Sequence, residues 1–388
     1  MAAQKEKMHH LVLRLIRMHD QISRAELARQ TGFSKPTISS VVADLMASGL
    51  VVETGLAQSK GGRRAVLLAF NDRKGFVIGM DVGGTTARAS LATLRGKVVE
   101  SLRESTASSG PDALMTQIKS LTVKLCDKAQ LPLDQVLGVA IGTPGAVDPV
   151  SSRVRYAPNL DALESPGFAT KLASLIGLPV SFHNDVNLAA VGEQAHGEGR
   201  GVNTFVFVSI GTGLGFGLIV EGKLYRGSAG RAGELGYLRL TPQSLETIED
   251  VLCGPGIARC HAAAGGSGRV ADAFDEAERE QEPGHSVIIN LITHLAWLLS
   301  VLGTLLDPER LILGGSIGRR FHAFEPLLFR SFEHLSPITP PLAFSKLGDD
   351  AGLHGAVSMA LAEAEPLLYK GGGRSRQEAG TVSAITHP

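Results

Sequence analysis

The chain has 388 residues, of which 44% are hydrophobic, 20% charged and 5% aromatic, and it contains 46 glycines. This length and composition exclude a fibrous or disordered chain and predict two or three α/β domains with many tight turns. The net charge of zero hides an asymmetry, because residues 1–75 hold 12 Lys and Arg against six Asp and Glu, so they carry +6 and the remainder −6.

The basic first part of the chain predicts a small helical module. Residues 7–18 have apolar side chains at helical spacing. Ser23 can cap a second helix, with Glu26 three residues later as in a capping box, and Gly32 can end it. Ser34 can cap a third helix, and this layout is typical of a helix-turn-helix. The residues of the third helix expected to face the core are Ile38, Val41, Val42 and Leu45.

The third helix of such a motif enters the major groove of DNA, so its polar residues are candidates for base and phosphate contacts. Two strands predicted after it flank a flexible basic tip, a wing that can reach the minor groove. The alternative is a protein-interaction module with a solvated charged hairpin. The candidate DNA-binding residues are Ser34, Lys35, Thr37, Ser39, Ser40, Lys60, Arg63 and Arg64.

Two glycine-rich turns follow in the rest of the chain. The turn at 81–86, "DVGGTT", joins two predicted strands, and its glycines let backbone N–H groups approach an anion, although such a turn is often merely structural. The turn at 211–217, "GTGLGFG", also lies between two predicted strands. A dinucleotide-binding fingerprint requires a helix directly after the glycines, so this second turn is a weak candidate for that function.

Six further segments occur in a fixed order: "LGVAIGTPGAVDP", "YAPNLDA", "SFHNDVNLAAVGEQA", "GRAGELGYLRL", "TIEDVLCGPGIA" and "LDPERLILGGSIG". With them, nearly the whole chain resembles the ROK family, named for repressors, open reading frames and kinases. The resemblance implies an actin-like, hexokinase-type α/β body of two lobes, preceded by an α+β winged helix-turn-helix domain. The expected divisions are a head at 1–74, an N-terminal lobe at 75–195, a C-terminal lobe at 196–370 whose last helix returns to the first lobe, and a disordered polar tail at 371–388.

The resemblance also implies roles for particular residues. In kinases of the family, loops like those at 81–86 and 211–213 hold ATP phosphates, and a segment like 313–316 lies beside adenosine. Asp185 matches the general base, which accepts the proton of the attacking sugar hydroxyl group. The same carboxylate can bind a sugar without catalysis. The implied phosphate-loop residues are Asp81, Gly83, Gly84, Thr85, Gly211, Thr212, Gly213, Gly314 and Gly315, and the implied sugar contacts are Asn159, Asn184, Asp185, Glu234 and Glu249.

The chain departs from the family at its zinc site. Many members have a histidine and three clustered cysteines there, whereas this chain has Tyr237 at the histidine position and lacks the cysteine run. Cys253, Cys260 and His261 do not have the family's spacing, so no zinc is expected. Tyr237 replaces a sugar-contacting histidine with one hydroxyl group on a bulkier ring, which weakens the expectation of a hexose ligand.

These features predict a sugar-responsive repressor that binds operator DNA as a homodimer or dimer of dimers, senses a monosaccharide or a derivative of one, and requires no cofactor. An active or bifunctional ATP-dependent sugar kinase is the alternative, and a repressor controlled by a protein partner is a third hypothesis. No signal peptide or run of about 18 apolar residues is recognisable, and three cysteines form no disulfide framework. A cytoplasmic protein without membrane contact is therefore expected.

Overall fold

The computed structural model describes residues 2–57, 64–157 and 159–369, which fold into a small N-terminal head and two α/β lobes. The head combines three helices with an antiparallel sheet of order β1-β3-β2. Its elements are α1 (Ala2–Met18), β1 (Ile22–Ser23), α2 (Arg24–Thr31), α3 (Lys35–Ala47), β2 (Val51–Leu56) and β3 (Val66–Phe70).

The helix boundaries of the head follow from the caps that the sequence predicts. The Glu26 N–H donates to the Ser23 hydroxyl oxygen at 3.2 Å, and Gly32 ends α2 with a left-handed φ of 71°. The Thr37 N–H donates to the Ser34 hydroxyl oxygen at 3.3 Å. The four residues of α3 predicted to face the core are all buried. The winged helix-turn-helix fold is therefore confirmed for the described part of the head.

The body contains two five-stranded sheets. The first lobe is formed by β4 (Phe76–Val82), β5 (Thr86–Thr93), β6 (Val98–Ser105), α4 (Pro111–Lys128), β7 (Val136–Thr143), β8 (Ala146–Val147), β9 (Val154–Arg155), α5 (Phe168–Ile176), β10 (Val180–Asn184) and α6 (Asp185–His196). The second is formed by β11 (Phe205–Ile210), β12 (Leu214–Val220), β13 (Lys223–Leu224), α7 (Ile248–Leu252), α8 (Gly254–Ala263), α9 (Val270–Glu278), α10 (Gly284–Leu306), β14 (Arg310–Gly314), α11 (Gly315–Gly318), α12 (Glu325–Leu335) and β15 (Leu342–Phe344). The last helix is α13 (Ala351–Tyr369).

The two sheets share one topology. Their orders are β6-β5-β4-β7-β10 and β13-β12-β11-β14-β15, and in each sheet the first three strands are antiparallel and the last two pairs are parallel. The turn between β4 and β5 therefore occupies the same position in the first lobe as the turn between β11 and β12 in the second. Both predicted glycine-rich turns are hairpins, and a strand follows the second one, as the sequence indicates.

Helices α6 and α13 lie between the two sheets. Apolar residues of α13 pack on the first sheet, and those of α6 pack on the second. The two helices cross so closely that a Cβ atom added to Gly355 would overlap the carbonyl oxygen of Leu188, and one added to Gly192 would overlap that of Ala351. Backbone packs directly against backbone at this crossing, which joins the lobes through two rigid helices.

One described helix, α10, has the length and composition of a membrane span. Its residues Leu291, Leu295, Leu299 and Leu302 are instead buried in the core of the second lobe, together with Phe321 and Phe332. A long apolar helix of this kind is expected at the centre of a large α/β lobe.

Candidate functional site

Two carboxylates of the first lobe lie where its parallel strands end. Asp81 is one residue before the end of β4, and Asp185 is the first residue of α6, directly after β10. A Cβ atom added to Gly352, at the start of α13, would lie 3.6 Å from the Asp81 carboxylate and 3.8 Å from the Asp185 carbonyl oxygen. This edge of the sheet, where ligands bind in open α/β folds, forms one wall of the candidate cleft.

The Asp185 carboxyl group is held in surroundings that oppose its ionisation. Burial, followed by the negative charges of Asp81 and Glu234, raises the pKa of Asp185 to about 7, although the Val186 N–H donates to its Oδ1 at 2.8 Å. A carboxyl group with a pKa near 7 can accept a proton or a hydrogen bond from a hydroxyl group at neutral pH. This chemistry suits both a sugar kinase and a sugar receptor.

The Asp81 carboxylate already has a strong partner. Arg88 lies directly opposite it on β5, donates a hydrogen bond to Oδ2, and also reaches Oδ1 of Asp350 at 3.4 Å. Burial raises the pKa of Asp81, and the Arg88 charge opposes that rise. Arg88 was not singled out from the sequence, but a tight turn between β4 and β5 is itself a signal that residues 81 and 88 pair across the hairpin.

Asn184 has a structural role that its position before a helix predicts. Its Oδ1 accepts a hydrogen bond from the Asn187 N–H at 2.9 Å and thus caps α6, while its Nδ2 donates to the Gly145 carbonyl oxygen at 3.1 Å. The side chain is therefore fixed beside Asp185. Its contact with a sugar stays a prediction.

Asn159 and the first glycine-rich turn are close neighbours. A Cβ atom added to Gly84 would lie 2.8 Å from the Asn159 carbonyl oxygen, so this position requires glycine for space. The Gly83 carbonyl oxygen accepts a hydrogen bond from the Thr106 hydroxyl group at 2.6 Å, and the Thr85 carbonyl oxygen accepts one from the Thr106 N–H at 3.1 Å. Thr106 thus holds the turn at the two residues that flank Gly84, and Gly84 and Thr85 are exposed.

The opposite wall of the cleft carries two more carboxylates. Glu249, in the first turn of α7, accepts a hydrogen bond from the Leu214 N–H at 2.8 Å and so holds the start of β12. Although Glu234 is exposed overall, its carboxylate is partly shielded from water, and this shielding together with the charge of Glu249 raises the pKa of Glu234. Because Glu234 also acts on Asp185, the acidic groups of the two lobes face one another.

Tyr237 stands beside these carboxylates. Partial burial and the charges of Glu234 and Glu249 raise the pKa of Tyr237, whose side chain is nevertheless 63% exposed. Its ring meets that of Tyr156 edge to face, with 6.4 Å between centroids. Tyr156 was not predicted from the sequence, because it belongs to the first lobe and has no local motif of its own.

The glycine-rich loops of the second lobe lie together. A Cβ atom added to Gly211 would be 3.6 Å from the Ser316 hydroxyl oxygen, and the Gly254 N–H donates to the Gly211 carbonyl oxygen at 2.8 Å. Thr212 and Gly213 are exposed. Gly314 and Gly315 have a packing role, because Cβ atoms there would overlap the Phe207 ring and the Ile210 backbone.

The predicted DNA-contacting face of α3 is accessible. Ser34, Lys35, Ser39 and Ser40 are exposed and Thr37 is half-buried, but the hydroxyl groups of Ser34 and Thr37 also bond to each other at 2.8 Å. Arg64 is exposed, whereas Lys60 and Arg63 lie outside the described residues.

Three ion pairs in the head leave its net charge of +6 unchanged, because each joins one positive and one negative group. Arg24 pairs with Glu53 at 3.0 Å, Lys5 pairs with Asp44 at 3.0 Å, and the Arg29 guanidinium group pairs with Glu26. The exposed Lys35 and Arg64 lie outside these pairs and can attract phosphate.

Two of the three residues considered for a substitute zinc site, Cys253 and His261, are buried. The His261 Nε2 atom is 2.9 Å from a Glu276 carboxylate oxygen, and Cys253 is buried at the start of α8. Among the described residues, no three His, Cys, Asp or Glu side chains are grouped as metal ligands. The donor set therefore does not fit a zinc ion at this position.

Comparison with known proteins agrees with this architecture. The ROK family model matches residues 77–363, and a MarR family model matches residues 6–65. A xylose repressor from Caldicellulosiruptor bescii is 34% identical over 251 residues, which cover 64% of this chain and 61% of the relative. The chain thus matches about three-fifths of that relative's length.

Two solved structures extend the comparison to the fold. A ROK family transcriptional regulator, homologous to the E. coli MLC protein, has a TM-score of 0.76 at 23% identity over 94% of this chain and 98% of its own. A ROK family glucokinase from Streptomyces griseus, in complex with glucose and AMPPNP, has a TM-score of 0.60 at 28% identity over 74% of this chain and 99% of its own. The first shares the fold of both head and body, and the second that of the body.

Proposed function

This chain is a member of the ROK family that carries a MarR-type winged helix head, and from this we propose that it is a sugar-responsive transcriptional repressor. The head binds operator DNA, and the cleft between the lobes binds a monosaccharide or a derivative of one. The repressor works in the cytoplasm as a homodimer or dimer of dimers, because helix-turn-helix proteins read two half-sites with two heads.

The observation that carries this proposal is the course of α13. Its first turn lies beside Asp81 and Asp185, through Gly352. Near its other end, Glu365 forms an ion pair with Arg17 of the head at 3.3 Å, and Leu361 and Leu368 pack against the head's core. A helix of 19 residues spans about 28 Å at about 1.5 Å per residue. A movement at the cleft therefore has a helical route to the head, which is interrupted by Pro366 only beside the head contacts.

A second set of contacts ties α13 to both lobes. His183, which directly precedes the Asn184–Asp185 pair, has its Nε2 atom 3.0 Å from Glu363 of α13. The Arg226 guanidinium group of the second lobe lies 3.4 Å from the other ring nitrogen of His183. Closure of the lobes on a sugar would change these distances and bias the position of α13.

The head is also anchored at the end of α1. Arg95 donates hydrogen bonds at 3.1 Å to the carbonyl oxygens of Arg17 and His19, and Arg17 donates to that of Leu94 at 3.3 Å. These contacts hold the head against the first lobe, so a shift of that lobe changes the spacing between the two heads of a dimer.

An ATP-dependent sugar kinase is the second candidate, because Asp185 with a pKa near 7 can serve as its general base as well as bind a sugar. The ion pair between Asp81 and Arg88 supports the repressor instead. A kinase needs carboxylates for the Mg²⁺ that accompanies ATP, and the Arg88 guanidinium group competes with Mg²⁺ for Asp81. Incubation with ATP, Mg²⁺ and the sugar distinguishes the two functions. We expect no sugar-dependent ADP formation, and ADP formation that Asp185→Ala abolishes would establish the kinase.

We expect the bound sugar to weaken operator binding, and operator DNA to weaken sugar binding by the same factor. A tenfold effect requires about 1.4 kcal/mol of coupling, within the usual range. The sugar would be identified by thermal-shift screening of monosaccharides and their derivatives, and the operator selected from a random duplex pool. Sugar titrations with and without operator then measure the coupling, and equal affinities would exclude it.

The route through α13 has its own test. Glu365→Gln should reduce the coupling factor while leaving sugar affinity in the absence of DNA unchanged, because the ion pair with Arg17 links α13 to the head. Glu333→Gln, an exposed change on α12, is the matched control. An unchanged coupling factor in Glu365→Gln would remove this ion pair from the mechanism.

Replacing both Arg63 and Arg64 with alanine should weaken operator binding and flatten its salt dependence. For every phosphate that the protein no longer neutralises, the slope of log K against log [salt] becomes shallower by about 0.9, since fewer counterions are released. Fluorescence anisotropy over a range of salt concentrations measures both quantities. Arg330→Ala, which removes one exposed positive charge from the second lobe, should change neither, and wild-type behaviour of the double variant would exclude the wing from binding.

A further inference from the structure

A small pocket lies between the lobes, beside the candidate sugar cleft. One wall comes from the hairpin of β8 and β9 in the first lobe, and the other from residues 229–231 of the second. Its volume is about 100 Å³, and its lining residues are Ala146, Asp148, Arg153, Arg155, Ala229 and Arg231. None of these belongs to the residues that the sequence motifs assign to the sugar.

The pocket carries excess positive charge. Its lining residues include three arginines and one aspartate. That carboxylate, on Asp148, already accepts hydrogen bonds from the Val150 N–H at 3.0 Å and from the Ser151 N–H at 2.7 Å. Within residues 2–57, 64–157 and 159–369, no ion pair within 4.0 Å engages Arg153, Arg155 or Arg231, although the charge of Arg155 lowers the pKa of Asp148 from a longer distance. None of the three guanidinium groups is held by a direct carboxylate contact, so each can turn to an anion from solution.

The size of the pocket limits what it can hold. Its volume of about 100 Å³ is several times the roughly 10–15 Å³ that one ordered water needs by the same measure, so it admits a compact charged group. Guanidinium groups bind carboxylate and phosphate oxygens through paired, charge-assisted hydrogen bonds. A compact oxyanion is the ligand that this lining fits.

Both walls of the pocket continue into the sugar cleft. In the first lobe, Gly145 adjoins β8, and its carbonyl oxygen accepts the hydrogen bond from Asn184 at 3.1 Å. In the second lobe, the Arg231 carbonyl oxygen accepts a hydrogen bond from the Glu234 N–H at 3.3 Å. The Arg231 guanidinium carbon also lies 5.6 Å from the centroid of the Tyr156 ring, which contacts Tyr237. A sugar at Asn184 and Glu234 would thus have the arginines close to one end.

The charge of the cleft itself reinforces this assignment. Asp185, Glu234 and Glu249 suit the hydroxyl groups of a sugar ring but repel an anionic substituent. An anionic sugar can bind only if its charge is directed away from these carboxylates and toward positive groups. The arginine-lined pocket supplies them at the boundary of the two lobes.

We propose that the effector is an anionic monosaccharide, whose ring lies in the cleft and whose phosphate or carboxylate group lies between Arg153, Arg155 and Arg231. This proposal rests on the proposed sugar-responsive function and names the class of sugar. Because the anion would contact arginines of both lobes, it would favour closure of the lobes. A neutral sugar has no charge with which to make these contacts.

The test compares four kinds of probe on the full chain by thermal shift and calorimetry: neutral monosaccharides, sugar phosphates, sugar acids and inorganic phosphate. We expect an anionic sugar to bind, with its affinity lowered at least tenfold in Arg153→Gln and in Arg155→Gln. Comparing the affinities of sugar phosphates and sugar acids identifies whether the anionic group is a phosphate or a carboxylate. Arg330→Gln controls for the removal of one charge. A melting temperature without ligand that equals that of the wild type shows that each variant folds.

The outcomes separate this proposal from the function on which it rests. Arginine-dependent binding of an anionic sugar supports both. A neutral sugar that binds and releases operator DNA equally well in the wild type and the arginine variants would overturn the proposal and leave the repressor function intact. Anionic sugars that bind with equal affinity to the wild type and the variants would also overturn it. Operator binding that no sugar of any class alters would overturn both.

Discussion

Asp185→Asn is expected to lower sugar affinity by roughly 10- to 100-fold and, above pH 7, to make the sugar-free protein more stable. The fall in affinity follows because a hydrogen bond to a charged group contributes about 1.5–3 kcal/mol. The gain in stability follows because burial and the charges of Asp81 and Glu234 raise the pKa of Asp185 to about 7. Asparagine keeps the shape of the side chain and removes the ionisation.

The gain in stability should depend on pH in a defined way. Below about pH 4, Asp185 is protonated in both the folded and unfolded states, so its ionisation favours neither. Between pH 4 and 7, the unfolded state releases the proton while the folded state keeps it, so the wild type loses stability as pH rises. The difference between variant and wild type should grow over this window to the order of a few kcal/mol and then stay constant.

Chemical denaturation at several pH values measures this difference, and Asp112→Asn, an exposed carboxylate in the first turn of α4, is the control. Sugar binding to the ionised carboxylate should release a proton near pH 7, so sugar affinity should rise between pH 6 and 8 in the wild type and not in the variant. A stability difference that is the same at pH 4 and pH 8 would contradict the raised pKa of Asp185.

Gly355→Ala is expected to destabilise the protein by several kcal/mol, although alanine is the better helix former by about 1 kcal/mol. The added methyl group would overlap the carbonyl oxygen of Leu188, a backbone atom of α6 that cannot turn aside. Overpacking of this kind typically costs about 1–3 kcal/mol, and more when the obstacle is rigid. The two helices would have to separate, which also disturbs the contact between the lobes.

Gly352→Ala, one turn earlier on α13, is the matched control for stability. The nearest atoms to its added methyl group are 3.6 Å away or more, an ordinary contact distance. This variant should therefore melt at or above the wild-type temperature, while Gly355→Ala melts well below it. Similar melting temperatures for the two variants would mean that the helices do not cross as described.

Local signals account for the elements that the sequence predicted well. The Ser23 and Ser34 caps and the two glycine-rich hairpins each depend on residues within a few positions of one another. The Asn184 cap directly before Asp185 and α6 is a signal of the same kind. Short-range patterns fix helix starts and turns because the contacts that determine them are themselves short-range.

Long-range contacts explain what the sequence did not disclose. Arg17 and Glu365 are joined across almost the whole chain, and the arginine pocket combines residues 153–155 with Arg231. No spacing rule relates such positions, because the fold alone brings them together. Glu249 illustrates a different limit: family motifs assign it to the sugar, whereas its hydrogen bond to the Leu214 N–H also gives it a structural task.

The docking of the head on Leu94, Arg95 and Glu365 has a consequence for building hybrid regulators. If the head of another regulator were joined to this body between residues 74 and 75, it would be exchanged as one continuous piece. The residues that hold the head, Leu94, Arg95 and Glu365, would stay with the body. A foreign head that lacks a cation at position 17 would lose the ion pair with Glu365, although its backbone could still accept hydrogen bonds from Arg95. Grafts that carry over α1 with its anchoring residues should therefore respond to the cleft more strongly than grafts that omit them.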